Sequence, residues 1–457
     1  MKTSKASFSE GSRERSERYA VTKPINVGLL GLGTVGGGTL TVLRRNKEEI
    51  ARRAGREIRV VQAAVRDLAK ARAFAGEGLD LTTDPMVVVD NPEIDIVVEL
   101  IGGIEPAREL VLKAIQNGKH VVTANKALIA KHGNEIFAAA QAKGVMVAFE
   151  AAVAGGIPII KAIREGLSAN RIQWLAGIIN GTTNFILSEM RDKGLAFDTV
   201  LKEAQRLGYA EADPTFDVEG IDAAHKLAIL SAIAFGVPMQ FDAAYIEGIS
   251  KLTREDIRYA EELGYRVKLL GITKRRDDGI ELRVHPTLIP EKRLIANVNG
   301  AMNAVLVNGD AVGATLYYGK GAGAEPTASA VVADLVDVTR LHTADPHHRV
   351  PHLAFQPDQL TDLKVLPITE VATACYLRMR ALDKPGVLAD ITRILADLNI
   401  SIDAMLQKEP AEGEDQADII MLTHIALEKH VNAAIAKIEA LDSIAGKVTR
   451  IRLEELN

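Results

Sequence analysis

The sequence predicts an α/β protein with a parallel-sheet domain, an α+β domain and a small C-terminal module of ferredoxin-like topology. Three observations support this prediction. Apolar strand-like segments alternate with helical segments over the first 150 residues, and a less regular mixture of helices and strands follows. Residues 373–457 then offer segments in the order β, α, β, β, α, β. A chain of 457 residues is long enough for three domains of ordinary size.

The composition narrows the classes of partner. A net charge of -5 argues against a surface that binds nucleic acid or an anionic membrane, so we expect small-molecule ligands. The longest apolar runs, such as residues 227–239, are shorter than the roughly 20 residues of a membrane span. Cys375 is the only cysteine, which fits a reducing cytoplasm. Residues 1–23 are basic and lack an apolar signal-peptide core, so we expect a disordered leader.

The first predicted domain covers residues 24–150, and a helix near 320–342 is expected to return to it. It begins with INVGLLGLGTVGGGTLTVL, which runs from an apolar strand through a glycine turn into a helix. Further strands are predicted at 58–65, 94–101, 119–123 and 145–149, with helices at 105–117 and 127–142. Nearly continuous apolar strands separated by helices indicate a parallel sheet covered on both faces.

The rest of the chain divides into three segments. Residues 151–320 mix helices with strands such as 174–180 and 266–273, which is typical of an α+β substrate-binding and dimerisation domain. Residues 343–372 are rich in histidine, proline and aspartate and are predicted to be a linker. The C-terminal module takes up residues 373–457.

The glycine turn after the first strand carries a specific motif. Gly31, Gly33 and Gly36, with Thr34 and Val35 between them, have the G-x-G-x-x-G spacing. These glycines permit a tight turn and a close approach of the backbone to a diphosphate, and the helix N-terminus favours its charge. We therefore predict a Rossmann-type domain that binds a dinucleotide.

Residues after the second predicted strand bear on the choice of cofactor. In Val65-Arg66-Asp67, an acidic side chain would bind the ribose hydroxyls of NAD, whereas an arginine would bind the 2′-phosphate of NADP. Both types are present, so NADP is slightly favoured and NAD stays open. A surface ion pair between Arg66 and Asp67 is an equally good explanation.

Three further segments are candidates for the site. Lys126 follows a predicted parallel strand at the sheet edge where such folds bind ligands, although a solvated lysine at a helix start is the alternative. The small-residue segment 148–160 could offer its carbonyls to a hard cation, or serve as a hinge. In NGTTN at 180–184, side chains such as Thr182 could hold a polar substrate, but helix capping is the simpler interpretation.

An unusual helix follows these segments. In GIDAAHKLAIL at 220–230, Asp222 and Lys226 lie one turn apart among apolar residues. Charges in a buried helix cost free energy unless they are paired or have a functional role. Asp222 and Lys226 are therefore either an ion pair on a solvated stripe of the helix or a pair that faces a substrate. The carboxylates that precede it would suit a ligand with an ammonium group; they are Glu211, Asp213, Asp217 and Glu219.

In these motifs the chain resembles the homoserine dehydrogenases. The similar segments, in the expected order between residues 24 and 345, are GLGTVGGG, TANKAL, FEAAVAGGIPII, NGTTNFIL, GYAEADPTFDVEGIDAAHKLAIL and YGKGAGAEPTASAV. The later segment ALDKPGVLADITRILADLNISI resembles an ACT domain, a sensor of small ligands. The resemblance implies reduction of L-aspartate 4-semialdehyde to L-homoserine with NADPH or NADH, on the pathway to threonine, methionine and isoleucine.

The resemblance also implies roles for individual residues. Lys226 matches the proton donor, which fits the need of a developing alkoxide for a positive, proton-bearing neighbour. Lys126 matches a second lysine near the nicotinamide, and Gly323 matches a glycine that touches the cofactor. The substrate-holding acids are matched by Glu211 and Asp222, with Asp217 close by. A monovalent cation such as Na⁺ is implied at Glu150, Val153, Gly155 and Ile157, mostly through main-chain carbonyls.

The ACT-like segment suggests regulation. Asp383, Gly386, Val387 and Leu388 form a turn before a helix N-terminus, where the carboxylate of an amino acid could bind. Threonine is the expected effector because it is the end product of the pathway, although the turn could be structural in a module that only dimerises. The resemblance further implies a homodimer or homotetramer.

Two other functions would be expected to show different sequence features. Phosphoglycerate dehydrogenases can also end in an ACT domain, but their glycine motif lies well inside the chain, whereas here it begins at Gly31. A catalytically silent amino-acid sensor would keep the fold and use only its C-terminal module. It would have no need of Lys126, Glu211, Asp222 and Lys226 together.

Overall fold

The computed structural model describes residues 23–76, 78–410 and 413–457. The chain forms two compact units. The first comprises the described residues up to Gly166 together with Lys320–Leu360, and the second comprises Leu167–Gly319 with Thr361–Asn457. The predicted leader falls almost entirely on residues outside the described part. Among the described helices, none has the length and apolar character needed to cross a membrane.

The first unit contains a six-stranded parallel sheet in the order β3-β2-β1-β4-β5-β6. Its strands are β1 (Ile25–Leu30), β2 (Ile58–Ala64), β3 (Asp80–Thr82), β4 (Ile96–Glu99), β5 (His120–Thr123) and β6 (Val147–Ala148). This is the strand order of dinucleotide-binding sheets, and it confirms the predicted parallel sheet. The strand β3 was not predicted from the sequence, because three residues are too few to produce a strand pattern.

Helices cover this sheet. They are α1 (Thr34–Arg45), α2 (Lys47–Ala54), α3 (Leu68–Ala75), α4 (Pro85–Asp90), α5 (Ala107–Gln116), α6 (Lys126–Lys143), the short α7 (Ile159–Lys161) and, from the later segment, α13 (Ala324–Leu341). The helix α13 packs against α1 with no room for a side chain between them, since a Cβ atom on Gly38 would lie 2.5 Å from the carbonyl oxygen of Ala324. Apolar residues of α13 such as Val331 and Leu335 complete the core beside β1 and β4.

The second unit is built on one mixed sheet. Its first strands are β7 (Ile172–Ile178), β8 (Tyr245–Ile246), β9 (Tyr265–Arg275), β10 (Ile280–Pro290), β11 (Met302–Gly309) and β12 (Gly313–Lys320). The helices around them are α8 (Gly181–Lys193), α9 (Phe197–Arg206), α10 (Thr215–Val218), α11 (Ile221–Phe235) and α12 (Arg254–Glu262). In α11 every residue from Asp222 to Phe235 is buried, as its composition predicts.

The C-terminal module has the predicted βαββαβ order, with one additional short strand. Its elements are β13 (Ala372–Leu382), α14 (Val387–Asp397), β14 (Ile402–Gln407), β15 (Gln416–Thr423), β16 (Ala426–Leu427), α15 (Glu428–Glu439) and β17 (Ile444–Leu453). The strands of the module do not form a separate sheet, because β17 pairs in parallel with β10 at Thr287–Arg452 and Leu288–Leu453. The sheet of the second unit therefore runs β12-β11-β7-β9-β10-β17-β13-β15-β14.

Buried ion pairs reinforce this junction. Arg283 of β10 is 1% exposed and lies between two carboxylates, with its Nε 2.9 Å from Glu281 Oε2 and its Nη2 2.5 Å from Glu454 Oε1. Burial raises the pKa of Glu454, but the charges of Arg283 and Lys274 outweigh that effect and hold it below its ordinary value. Glu454 follows the last strand of the module, so these charges bind the module to the rest of the unit.

We expect Arg283→Met to destabilise the second unit, because two buried carboxylates would lose their shared counter-ion. Loss of one partner of a buried pair costs about 3–5 kcal/mol. Urea unfolding followed by circular dichroism would measure the change. The control is Arg206→Met, which removes an exposed pair with Glu203 and should leave the unfolding midpoint unchanged. Equal midpoints for the two variants would contradict this account of the junction.

Candidate active site

The glycine turn of the first unit borders an open cleft of about 1180 Å³. Gly31 has φ +100°, and a Cβ atom on Gly36 would lie 2.2 Å from the carbonyl oxygen of Gly31, so neither position accepts a side chain. A Cβ atom on Gly33 would meet nothing within 4 Å, which leaves the start of α1 open beside Thr34 and Val35. This geometry leaves room for the diphosphate of a dinucleotide, and the contacts of the individual residues with it stay a prediction.

Arg66 and Asp67 follow the end of β2 and have different surroundings. Asp67 is the N-cap of α3, and its Oδ1 accepts a hydrogen bond from the backbone N–H of Lys70 at 3.0 Å. Its carboxylate is therefore partly committed to the helix. Arg66 and Lys70 are both exposed and line the cleft. The sequence analysis did not identify Lys70, although its position three residues after an N-cap is a local signal.

A buried carboxylate that the sequence analysis missed joins two strand ends beside this cleft. Glu99, at the end of β4, is fully buried; its Oε1 accepts hydrogen bonds from the N–H groups of Ile101 and Gly102 at 2.9 and 3.0 Å. Its Oε2 accepts a hydrogen bond from Thr123 Oγ1 at 2.6 Å. A charged residue that ends an otherwise apolar strand was the available signal.

Lys126 begins helix α6 immediately after this junction and is half-buried. Asn125 caps the helix by accepting from the N–H of Leu128 at 3.1 Å, and its Nδ2 donates to the carbonyl of Gly103 at 2.6 Å. Lys126 therefore lies on the edge formed by the ends of β4 and β5, where the sequence predicted it. Neither Lys126 nor Gly323, which precedes α13 with φ +127°, is among the described residues that line the cleft.

The segment proposed for a cation is buried and tightly packed within the first unit. Glu150 Oε1 and Oε2 accept hydrogen bonds from the N–H groups of Ile160 and Lys161 at 2.9 and 2.8 Å. Burial, followed by the nearby Asp334, raises the pKa of Glu150 to about 7. Val153 and Ile157 are buried, and a Cβ atom on Gly155 would lie 2.5 Å from the carbonyl oxygen of Gly321.

The donors in this segment limit how it could hold a cation. Among the described residues, no group of three or more His, Cys, Asp or Glu side chains could hold a metal ion. A cation at Glu150, Val153, Gly155 and Ile157 would therefore depend on main-chain oxygens, which suits a weakly bound hard ion better than a transition metal. The predicted cation stays a prediction.

In the second unit, Asp222 and Lys226 form a buried ion pair at the start of α11. Lys226 Nζ lies 2.6 Å from Asp222 Oδ2 and donates to the carbonyl of Ile179 at 2.8 Å. The two residues are 3% and 9% exposed, so this is not a pair on a solvated stripe. Asn180 Nδ2 donates to Asp222 Oδ2 at 2.8 Å and to Asp217 Oδ1 at 2.7 Å. Burial and the charge of Asp222 raise the pKa of Asp217.

The other predicted substrate residues lie at different depths. Thr182 Oγ1 donates to the carbonyl of Tyr209 at 2.7 Å, which ties α8 to the loop after α9. That loop contains Glu211, whose side chain is exposed and lies outside the buried cluster. Its carbonyl accepts a hydrogen bond from Gln205 Nε2 at 3.0 Å. The structure therefore brings together Asp217, Asp222 and Lys226, and it fixes the loop of Glu211 through main-chain contacts.

The predicted effector turn lies between β13 and α14. Gly386 has φ +97° and precedes the helix, whose first residues Val387 and Leu388 pack on the core of the module. Asp383 is exposed, and its Oδ1 lies 3.4 Å from Gln407 Nε2 of the edge strand β14. The turn leads into a helix N-terminus at which no side chain accepts a capping hydrogen bond. Its role as an effector site stays a prediction.

Three family models match the chain. A homoserine dehydrogenase model matches residues 158–336, a model of the NAD-binding domain of homoserine dehydrogenase matches residues 31–150, and an ACT domain model matches residues 376–443. These matches confirm the predicted Rossmann-type and ACT domains. They also exclude the phosphoglycerate dehydrogenase alternative, because the catalytic segment has its own specific match.

Relatives and solved structures agree with these models. A homoserine dehydrogenase from Pseudomonas aeruginosa is 66% identical over 95% of this chain and its own full length, and one from Bacillus subtilis is 40% identical over 94% of this chain and 99% of its own. The crystal structure of a homoserine dehydrogenase from Thiobacillus denitrificans is 81% identical, with a TM-score of 0.92 over 95% of this chain and 99% of that one. A hyperthermophilic archaeal homoserine dehydrogenase in complex with NADPH is 25% identical, with a TM-score of 0.60 over 71% of this chain and 99% of that one.

Proposed function

Because this chain belongs to the homoserine dehydrogenase family and is therefore an oxidoreductase, we propose that it reduces L-aspartate 4-semialdehyde to L-homoserine on the pathway to threonine and methionine. The observation that carries the proposal is the buried pair of Asp222 and Lys226, held among apolar residues of α11. A charged pair this deep in a helix has a cost that a substrate-facing role explains.

In this proposal Lys226 supplies the proton. A reduced nicotinamide dinucleotide, when bound beside Gly31, Gly33 and Gly36, would supply the hydride for the aldehyde carbon. As the new C–H bond forms, negative charge develops on the carbonyl oxygen, and transfer of one proton from the Lys226 ammonium completes the alcohol. Asp222 orients the ammonium through the 2.6 Å contact with Nζ. The low exposure of both groups strengthens this interaction, because little water competes with it.

The surrounding charges suit an amino-acid substrate. The cluster contains two carboxylates, those of Asp217 and Asp222, and one ammonium, that of Lys226. It therefore carries a net negative charge when both carboxylates are ionised. Such a site favours the ammonium group of L-aspartate 4-semialdehyde. Glu211 is proposed to bind the same ammonium group from the adjacent loop, and Thr182 of α8 is proposed to hold the polar substrate. The hydrogen bond from Thr182 to Tyr209 keeps that loop against α8.

We also propose that NADPH is the preferred cofactor. The support is the capping role of Asp67, together with the exposure of Arg66 and Lys70 at the cleft. Two cations at the end of β2 suit a 2′-phosphate, whereas NAD would rely on a carboxylate that already caps α3.

A third proposal concerns regulation and assembly. The ACT module is proposed to bind L-threonine at the turn of Asp383 and Gly386, which lowers activity, and the protein is proposed to act as a homodimer or homotetramer. The support is the open helix N-terminus at Gly386 and the continuity of the module with the substrate-domain sheet through β10 and β17. Ligand binding at this turn would reach α11 through β10, which packs against that helix.

Substitution of Lys226 tests the proposed reaction. We expect Lys226→Arg to lower kcat by about 10²- to 10⁴-fold, because the guanidinium keeps the ion pair but is too weak an acid to give up a proton. Fluorescence titration should show NADPH binding at the native level. The control is Lys251→Arg, an exposed lysine of the same unit. A Lys226→Arg variant with kcat within tenfold of the native value would rule out Lys226 as the proton donor. A native protein that binds NADPH but does not turn over the aldehyde would contradict the proposed substrate.

Substitution of Arg66 tests the cofactor preference. We expect Arg66→Ala to raise the KM for NADPH by about 10- to 100-fold, the worth of a hydrogen bond to a charged group, and to change the KM for NADH little. Initial rates with each cofactor would measure the two constants. Arg59→Ala, an exposed arginine of β2 paired with Glu57, is the control. A similar loss with both cofactors would mean that Arg66 does not bind the 2′-phosphate.

Threonine provides the test of regulation. We expect millimolar L-threonine to lower kcat and to raise the apparent unfolding midpoint, since a ligand that binds only the folded state stabilises it. Asp383→Ala should abolish both responses without changing the basal rate. Asp397→Ala, an exposed acid at the other end of α14, should respond as the native protein does. If threonine altered neither activity nor stability, the effector proposal would be wrong.

A further inference from the structure

Asn180 has all of its side-chain hydrogen-bonding capacity engaged at the junction of α8 and α11. Its Oδ1 accepts from the N–H of Thr183 at 2.8 Å and from Thr183 Oγ1 at 2.9 Å. Its Nδ2 donates one hydrogen to Asp217 and the other to Asp222, at 2.7 and 2.8 Å. An asparagine amide offers two donor hydrogens and two acceptor lone pairs, so all four are used here. With 4% exposure, the side chain is almost completely shielded from solvent.

Helix capping explains only half of this arrangement. An aspartate or serine at position 180 would cap α8 about as well, because the cap needs only an acceptor for the N–H of Thr183. The two donor hydrogens toward Asp217 and Asp222 are what neither alternative supplies. The orientation of the amide is also fixed, since a flipped amide would place its oxygen against two carboxylates and its nitrogen against an N–H donor.

We propose that Asn180 is a positioning residue that bridges Asp217 and Asp222 and thereby holds Asp222 on Lys226. This inference rests on the proposed function, which gives Lys226 the task of proton delivery. Asp222 Oδ2 accepts from both Asn180 Nδ2 and Lys226 Nζ, so loss of the amide removes one of the two hydrogen bonds that orient this oxygen. The amide also offers each carboxylate a hydrogen bond, which allows two like charges to lie beside a single lysine.

Two substitutions separate the bridge from the cap. Asn180→Asp keeps the acceptor and nearly the same shape, but its ionised carboxylate donates nothing and adds a third negative charge. When protonated, the new carboxyl group can again donate one hydrogen bond, and burial beside two carboxylates favours that form. Asn180→Ser keeps the cap and is neutral, but its side chain is too short to bridge two carboxylates. Asn170→Asp is the matched control, because Asn170 Oδ1 also accepts a backbone N–H, that of Val312, outside the site.

The measurement is kcat for L-aspartate 4-semialdehyde from pH 5.5 to 9, with NADPH affinity and thermal unfolding in parallel. We expect Asn180→Asp to lose about 100-fold in kcat at pH 8 and to recover at least about tenfold, relative to native, as the pH falls. Asn180→Ser should lose activity to a similar extent at every pH. Both variants should keep the native NADPH affinity and stay folded at the assay temperature, as the control should. Their unfolding midpoints should fall below that of the control, because the buried carboxylates lose hydrogen-bond donors.

The outcomes distinguish the bridge from the reaction itself. A native enzyme that turns over the aldehyde, with Asn180→Ser within twofold of its kcat, would overturn the bridging role alone. So would an Asn180→Asp variant whose activity relative to native does not change with pH. A native enzyme without turnover would contradict the proposed reaction and, with it, this role for Asn180.

Discussion

The ion pair of Asp222 and Lys226 is the constraint around which the interior of the second unit is arranged. Two charges in a helix whose residues are buried from Asp222 to Phe235 would each cost several kcal/mol without compensation. The compensation comes from the end of β7, where the carbonyl of Ile179 and the amide of Asn180 reach the pair. The strand end and the helix start must therefore meet at this point, and Asp217 is brought into the same group.

In the first unit, buried polar side chains are also held by specific hydrogen bonds, here at the ends of strands rather than around an ion pair. Its strands are apolar, yet polar groups must gather at their carboxyl ends to border a cofactor cleft. Glu99 satisfies two backbone N–H groups and the hydroxyl of Thr123, and Asn125 caps α6 while it holds the carbonyl of Gly103. The side chains of Glu99, Thr123 and Asn125 thus have specific partners, which is the condition for a rigid polar edge on an apolar sheet.

The junction between β10 and β17 gives the ACT module its mechanical connection to the substrate domain. Two residue pairs join the strands, and two ion pairs extend the contact across the junction: Arg283 meets Glu454, and Arg452 meets Glu247. Within the module, Glu428 holds Arg452 in place. Buried ion pairs contribute modestly to stability but impose strict geometry, because a misplaced partner leaves a charge unpaired. This junction is the contact through which the proposed regulation would reach β10.

The sequence alone determined the features that depend on residues close together in the chain. The glycine turn at Gly31–Gly36, the cap before α8 and the one-turn spacing of Asp222 and Lys226 all follow from local spacing and periodicity. Tertiary structure decided which polar groups meet: Glu99 finds Thr123 across 24 positions, Asn180 finds Asp222 across 42, and Arg283 finds Glu454 across 171. The sequence predicts a helix cap in the segment at 180–184, because a cap involves only its own helix. It does not predict the hydrogen bonds that Asn180 donates to Asp217 and Asp222, because these require two other elements to be in place. Local order is encoded by short-range sterics and hydrogen bonds, while the partner of a buried charge depends on how distant strands and helices pack.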